Sequence, residues 1–530
     1  MRKWIAGKKT AILFALFLCY LYFRGIGDHG LIDPVEGVNA SVALHMVAGR
    51  NYFVPKVGDL YTAGSTMGTW WLEALSLDVM GWSEFAVRFW SALSGLIMIL
   101  AAAISANFNP DDENKSSRKS WLAAVCCGSM TLCFVVSQIA SSHAIFSCLT
   151  ALAMTGVIKS RYDKEWLMLS HTSIAFAFIA HGPAGLFLPF MSVIFYCVLC
   201  EDWELLQDFF TWPGGIILNI IISGLYFLML IFINPSILEF MVCRNHNYTF
   251  GGILGIIIFV IVGFAPFYGF LFRALYEVFP RKYPATKSPE LFMFIWAMVF
   301  AFYSIVSGDI LTLAACVPSL SAILGRKLDF WLRKRFLSVR YSVMMNILLI
   351  IPLFYIGLPF MINYVPVIKI SLLSLIPYEI MLGLFVAACW YYTKTRQITK
   401  WVRNVSAAAL LCLMPIAGVF NLTAEVYGNR DIGLKLRDVI KRDDTVIQYS
   451  VNFPSLYFYT LRNSALINCP LTPGVMEKNF VYAPSAIETI WNRKTRAFLI
   501  IPTSMSTESI MPKNIFHILE SDGMLLLSNQ

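Results

Sequence analysis

The sequence predicts a polytopic α-helical membrane protein that ends in a small extracytoplasmic α/β domain. Three observations carry this reading. Of the 530 residues, 58% are hydrophobic and 14% charged, with a mean hydropathy of +0.66; soluble domains average about a quarter charged, and charge is costly in hydrocarbon. Apolar runs long enough to cross a bilayer, about 20 residues each, recur from residue 10 to residue 421. Beyond 421 the runs shorten and alternate with polar helical stretches. The net charge of +9 does not indicate nucleic acid, because Lys and Arg gather between the apolar runs, where they mark cytoplasmic loops. The twelve cysteines lie mostly inside apolar runs, as at Cys126, Cys127 and Cys133, and indicate neither a zinc site nor a disulfide framework.

In chain order, "MRKWIAGKKTAILFALFLCYLYF" has a basic head and an apolar core, read as an uncleaved first span with a cytoplasmic N-terminus. Spans follow near 86–106, 121–138, 142–159, 165–180, 184–200, 214–233, 252–274, 290–307, 310–325, 342–361, 371–391 and 404–421, about thirteen in all. If they alternate, the basic junctions 115–119, 159–164, 280–287, 325–340 and 392–403 share one side with the N-terminus. The acidic junction "CEDWELLQDFF" (200–210) falls there too, an exception that the rule tolerates because acidic residues weigh little in it. Residues 1–421 then form a transmembrane domain with external loops 26–85 and 234–251, and residues 422–530 form the extracytoplasmic domain.

In the tail, "DTVIQYS", "ALINC", "NFVYA", "RAFLIIP" and "GMLLLS" are short β-type runs. Between them, "NRDIGLKLRDVIKR" and "SAIETIWNR" are helix-like, which predicts an α/β domain. It lacks a Gly-rich phosphate loop and a Ser/His/Asp set, so a structural cap is the favoured reading.

The first external loop is the richest in chemistry. Val35, Val38, Val42 and Met46 recur on one helical face, predicting a helix that lies on the membrane. Pro34 suits its first position and Asp33 its N-cap, which gives Asp33 a purely structural reading. "GTWWLEALSLDVM" (68–80) reads as a second interfacial helix with its Trp pair at headgroup depth. Two such helices suit a substrate that is half lipid and half polar.

"DPVEGVNASVALHMVAGRNYFVP" (33–55) followed by "MGWSEFAVRFWSALSGL" (80–96) resembles the first loop and second span of the GT-C membrane glycosyltransferases, in the aminoarabinose-transferase and protein O-mannosyltransferase-like branches. "AHGPAGLFLP" (180–189), "FYSIVSGDILTLAACVPSLSAIL" (302–324) and "PSLYFYTLR" (454–462) are similar to further segments of that family, the last to a strand-turn segment, in the same order along essentially the whole chain. The resemblance implies a GT-C fold of about thirteen spans. It also implies transfer of a sugar from a polyprenyl-phosphate donor to a lipid, glycan or protein acceptor on the extracytoplasmic side. The expected setting is a bacterial plasma membrane, and the expected partners are the lipid-linked sugar, membrane lipid and the acceptor. A carboxylate would activate the acceptor, and cations, often with a divalent metal ion, would neutralise the departing phosphate.

The resemblance also locates departures. The family's catalytic Asp and the Arg after it fall on Val35 and Val38, and its acidic–Lys pair on Gly64 and Ser65. Two further family lysines fall on His181 and Asp309. Where the fourth span of the family carries a second Asp, this chain offers Ser141, Ser142, His143 and Ser147. The expected catalytic residues are therefore Asp33, displaced by two positions, and Glu36, which is in register. Arg88, His181 and Arg244 are the expected substrate-binding residues, and His246 the expected metal ligand. Arg88 also reads as a span-end anchor that snorkels to the headgroups, and His246 as a solvated loop residue. Asp309, on the same external face, is the expected partner of His181. Three functions suit such a chain: a divergent transferase, a catalytically inactive scaffold that binds lipid or partners an active enzyme, and a transporter. The last is disfavoured by the scarcity of intramembrane charge and of paired interrupted spans.

Overall fold

The structure, a computed structural model, describes residues 2–57, 60–61, 66–107, 117–233, 260–334, 336–352, 376–469, 481–492, 495–505, 515–521 and 523–530. The chain divides into two compact units. The first comprises 1–24 and 90–419, the second 25–89 and 420–530. The sequence sets a boundary near 421 and groups the loop 26–85 with the spans; the compact units divide after residues 24, 89 and 419.

The first unit is helical. Among the described residues, seven helices are long and apolar enough to cross a membrane: Glu84–Ala106, Ser142–Ser160, Pro183–Cys200, Pro213–Phe232, Pro289–Ser307, Ile310–Lys334 and Ile398–Gly418. The expected spans 252–274, 342–361 and 371–391 lie partly outside the described residues, and the stretch 165–180 forms a shorter helix, Trp166–His181. The expected span 121–138 is broken into Arg118–Ser129 and Thr131–Gln138, bent by 57°. The break follows a Gly–Ser pair, and Ser129 Oγ bonds back to the Val125 carbonyl at 2.6 Å, both recognised causes of kinks. The Thr131 N–H leaves the helical ladder to donate to the Ala265 carbonyl at 3.1 Å. Where helices touch closely, glycine makes it possible: a Cβ on Gly156 would meet Trp166 O and Ser170 N at 2.8 Å. All the described cysteines are free, including Cys197 and Cys200, which have C-x-x-C spacing on one helix.

Ion pairs join the junctions that the sequence set on one side. Arg118 pairs with Asp329, Arg326 with Glu290 at 2.6 Å, and Asp202 with both Arg161 (2.5 Å) and Lys287 (3.1 Å). The acidic junction 200–210 thus supplies the counter-charge for two basic ones. Helices Ser142–Ser160, Trp166–His181 and Pro289–Ser307 each have one end in or beside this ion-paired layer. Their far ends carry His143, His181 and, in the turn that follows, Asp309.

The second unit holds a six-stranded mixed sheet. Its strands are β3 (Thr445–Tyr449), β4 (Ser464–Ile467), β5 (Val481–Tyr482), β6 (Ala497–Pro502), β7 (Phe516–Ser521) and β8 (Met524–Ser528), in the order β5-β4-β3-β6-β8-β7. A two-stranded hairpin in the loop supplies β1 (Lys56–Val57) and β2 (Leu60–Tyr61). β3, β4, β5 and β6 are parallel, while β8 runs antiparallel to β6 and β7. Strand alternation sends Ile447, Leu499 and Ile501 to one face, against Ile487 and Trp491, and Val446, Phe498 and Ile500 to the other, against Ile432 and Leu436. The five predicted runs are strands. β7 was missed because its residues are largely half-buried or exposed and it lacks an apolar run.

Two loop expectations need correction. Helix Val35–Gly49 does not lie on a surface: Glu36 through Leu44 are buried without a break, because helices Met67–Met80 and Ser455–Thr460 pack against it. Trp70 is likewise core, its indole N–H donating to Asn39 Oδ1 at 3.0 Å, so the Trp pair is not a headgroup belt. The segment "PSLYFYTLR" is a helical turn, Ser455–Thr460, not a strand.

Candidate functional site

In the second unit, the centre of the first loop is a buried ion pair. Arg88 Nε donates to Glu36 Oε1 at 2.8 Å and Nη2 to Oε2 at 2.7 Å. The remaining guanidinium donors reach the carbonyls of Ile26 (2.7 Å), His29 (2.9 Å) and Gly30 (2.7 Å). All five N–H groups of an arginine are thereby used. Glu36 Oε2 also accepts from the Ile32 N–H at 2.9 Å. Both side chains are wholly buried, so Arg88 is not a snorkelling anchor. Glu36 is the clamp's carboxylate, with its lone pairs committed.

Asp33 does not cap its own helix, which starts at Val35 without a side-chain cap. It accepts instead from Ser455, through the backbone N–H at 3.0 Å and the hydroxyl. It therefore caps, across space, the helix Ser455–Thr460. Burial pushes its carboxyl up to about 7, against the hydrogen bonds from Ser455 that favour the charged form. Gly37 makes this approach possible, since a Cβ there would meet Asp33 Oδ1 at 1.8 Å. The same helix receives the loop at three more points. Ser41 Oγ donates to the Pro454 carbonyl at 2.7 Å, His45 bonds Tyr457 OH at 2.9 Å, and the Leu31 N–H donates to Tyr459 OH at 3.1 Å. Burial and the nearby Arg88 push His29 down to about 4. Burial, with Glu36 adding to it, raises Glu73 well above the ordinary carboxyl range.

The first unit holds a different constellation. His143 Nε2 faces both oxygens of Asp309, at 3.0 and 2.9 Å. The His181 ring lies 5.3 Å from that of His143, edge-on, and stacks on Phe146 at 4.3 Å. His181 Nδ1 bonds Ser142 Oγ at 3.0 Å. All three side chains are buried. Among the described residues, His143, His181 and Asp309 are the one group of three His, Cys, Asp or Glu whose donor atoms lie within 4.8 Å of one another.

Sequence reasoning paired Asp309 with His181; the structure gathers both into one group with His143, whose Nε2 faces both Asp309 oxygens. The signal was present: the span in which the resemblance sets a second Asp offers His143 among its polar residues, and the position of a family Lys holds Asp309. Arg244, His246, Gly64 and Ser65 lie outside the described residues.

No family model matches the chain. An uncharacterized protein of Aquifex aeolicus (strain VF5) is 23% identical over 323 residues, 57% of this chain and 60% of that protein. The undecaprenyl phosphate-alpha-4-amino-4-deoxy-L-arabinose arabinosyl transferase 2 of Proteus mirabilis (strain HI4320) is 24% identical over 328 residues, 58% of this chain and 57% of that protein. The chain thus matches less than two thirds of the length of these curated relatives. The crystal structure of ArnT from Cupriavidus metallidurans bound to undecaprenyl phosphate superposes with a TM-score of 0.80 at 15% identity, over 98% of both chains. The chain is a membrane protein with the GT-C fold. Its sequence is similar to aminoarabinose transferases, and its fold is that of the ArnT structure.

Proposed function

We propose that this chain is a glycosyltransferase that moves a sugar from a polyprenyl-phosphate donor to a lipid, glycan or protein acceptor at the extracytoplasmic face of a bacterial plasma membrane. The observation that carries the reading is fold likeness over 98% of the chain to a protein crystallised with undecaprenyl phosphate. In this reading Asp33 and Glu36 hold the first loop in shape, because their oxygens are committed to Ser455, Arg88 and Ile32. Among the described residues, the cluster that offers itself for chemistry is His143, His181 and Asp309. They sit at the helix ends opposite the ion-paired basic layer, the side expected to face outward.

A second reading, a catalytically inactive GT-C scaffold that binds polyprenyl phosphate, is favoured by the same committed carboxylates. Incubating the purified chain with radiolabelled polyprenyl-phosphate sugars and an acceptor extract separates the two. Transfer that is lost in the His143→Ala, Asp309→Asn double variant is the expected result. Transfer no greater than that variant's, with binding of undecaprenyl phosphate retained, establishes the scaffold instead.

A further inference from the structure

We propose that His143, His181 and Asp309 bind a divalent cation, zinc being the ion their chemistry fits best, and that this ion supplies the positive charge opposite an anionic phosphate. The role at phosphate rests on the transferase reading; the binding of the ion does not.

The geometry comes first. The three donors come from three elements, the start of Ser142–Ser160, the end of Trp166–His181 and the turn before Ile310, so the fold itself brings them together. The 2.9 and 3.0 Å separations of His143 Nε2 from the Asp309 oxygens suit two ligands of one ion. With metal–ligand distances of about 2.0–2.2 Å they correspond to a ligand–metal–ligand angle of about 90°. An ion bound there would take the place of the contact between Nε2 and the carboxylate. Ser142 Oγ on His181 Nδ1 fixes that ring, as the second partner of a ligating histidine does.

The surroundings point the same way. His143 is buried and its Nδ1 has no hydrogen-bond partner. Nor do the buried hydroxyls of Ser141, Ser147 and Thr312, each within about one helical turn of His143 or Asp309 along the chain. Each such atom costs about 1–3 kcal/mol when left unsatisfied. Their concentration here suits a site that takes a polar ligand.

Charge completes the case. Without an ion, the three side chains carry no fixed positive charge. With one, two neutral imidazoles and one carboxylate leave a net charge of +1. Two nitrogens and one oxygen suit zinc, and three protein ligands leave a coordination position open. This restores the sign of charge that is missing where the resemblance sets lysines at His181 and Asp309.

The test uses the full chain in detergent, stripped with a chelator and titrated with Zn2+ against a chromophoric competitor. About one zinc per chain is expected. His143→Ala and Asp309→Asn are each expected to weaken binding at least about tenfold, since even second partners of ligands cost that much. His171→Ala, a buried histidine bonded instead to the Phe209 carbonyl, is expected to bind as the unaltered chain. If the variants fail to fold, the Co2+ spectrum of the unaltered chain decides: ligand-field bands without thiolate charge-transfer bands support the site. No stoichiometric zinc, unchanged binding in both variants, or a cysteine charge-transfer band overturns it. Zinc binding without transfer to any acceptor sinks the transferase reading and leaves the site standing. Full transfer by the metal-free chain removes the ion's role at phosphate.

Discussion

Replacing Arg88 by Met tests what holds the first loop together. Methionine has similar length but no donors, so Glu36 is left charged and buried without its guanidinium partner. Breaking a buried pair by removing one partner costs about 3–5 kcal/mol. The carbonyls of Ile26, His29 and Gly30 lose their guanidinium donors as well, at about 1 kcal/mol or more each where water does not reach them. The sum is comparable with the whole stability of an ordinary domain, about 5–15 kcal/mol. Arg88→Lys keeps the charge but puts its donors on one nitrogen, which cannot span both carboxylate oxygens and three carbonyls. It is expected to lose more than half of the arginine's contribution. The assay is thermal unfolding of the full chain in detergent, followed by tryptophan fluorescence and by protease sensitivity of residues 25–89. The double variant Arg88→Met, Glu36→Gln is expected to be more stable than Arg88→Met alone, because the stranded charge is gone. If Arg88→Met unfolds within about 0.5 kcal/mol of the unaltered chain, or Arg88→Lys is indistinguishable from it, the clamp does not carry the loop.

Two further predictions concern the same unit. Asp33, raised from 3.8 to about 7, retains its proton in the fold where the unfolded chain has lost it, so its contribution to stability falls as pH rises from about 4 to 7. His29, lowered from 6.5 to about 4, has the opposite sign: its contribution falls as pH drops from 6.5 to 4. Unfolding midpoints measured across this window should therefore fall less steeply with rising pH in Asp33→Asn and more steeply in His29→Gln; parallel profiles would remove both assignments. Gly37→Ala drives a methyl into Asp33 and the Ser455 N–H and is expected to cost about 1–3 kcal/mol by overpacking. Gly383→Ala, with open space at its Cβ, should be close to neutral by the same thermal assay.

Much of the fold is legible in the chain because it follows from local periodicity. Long apolar runs report helices, and the short runs at 444–450, 465–469, 496–502 and 523–528 report strands. The kink at Met130 is not legible from hydropathy, since the diverted Thr131 N–H finds its acceptor at Ala265, far along the chain.

The functional residues divide by the same criterion. The sequence by itself determined which residue types stand at the family's positions: valines at 35 and 38, histidine at 181, aspartate at 309. It also singled out Glu36, Arg88 and Asp33. Their partners depend on contacts between residues distant in sequence, and only the tertiary structure decided them. Arg88 meets a carboxylate 52 residues away, Asp33 a helix 422 residues away, and His143 an aspartate 166 residues away. A carboxylate reads as catalytic while its partners are unknown. Once they are known, Glu36 is seen tied to Arg88 and Asp33 to Ser455, while His143 has a buried ring nitrogen without a hydrogen-bond partner. Local pattern fixes what each residue is able to donate or accept; the fold decides which of those capacities are already used.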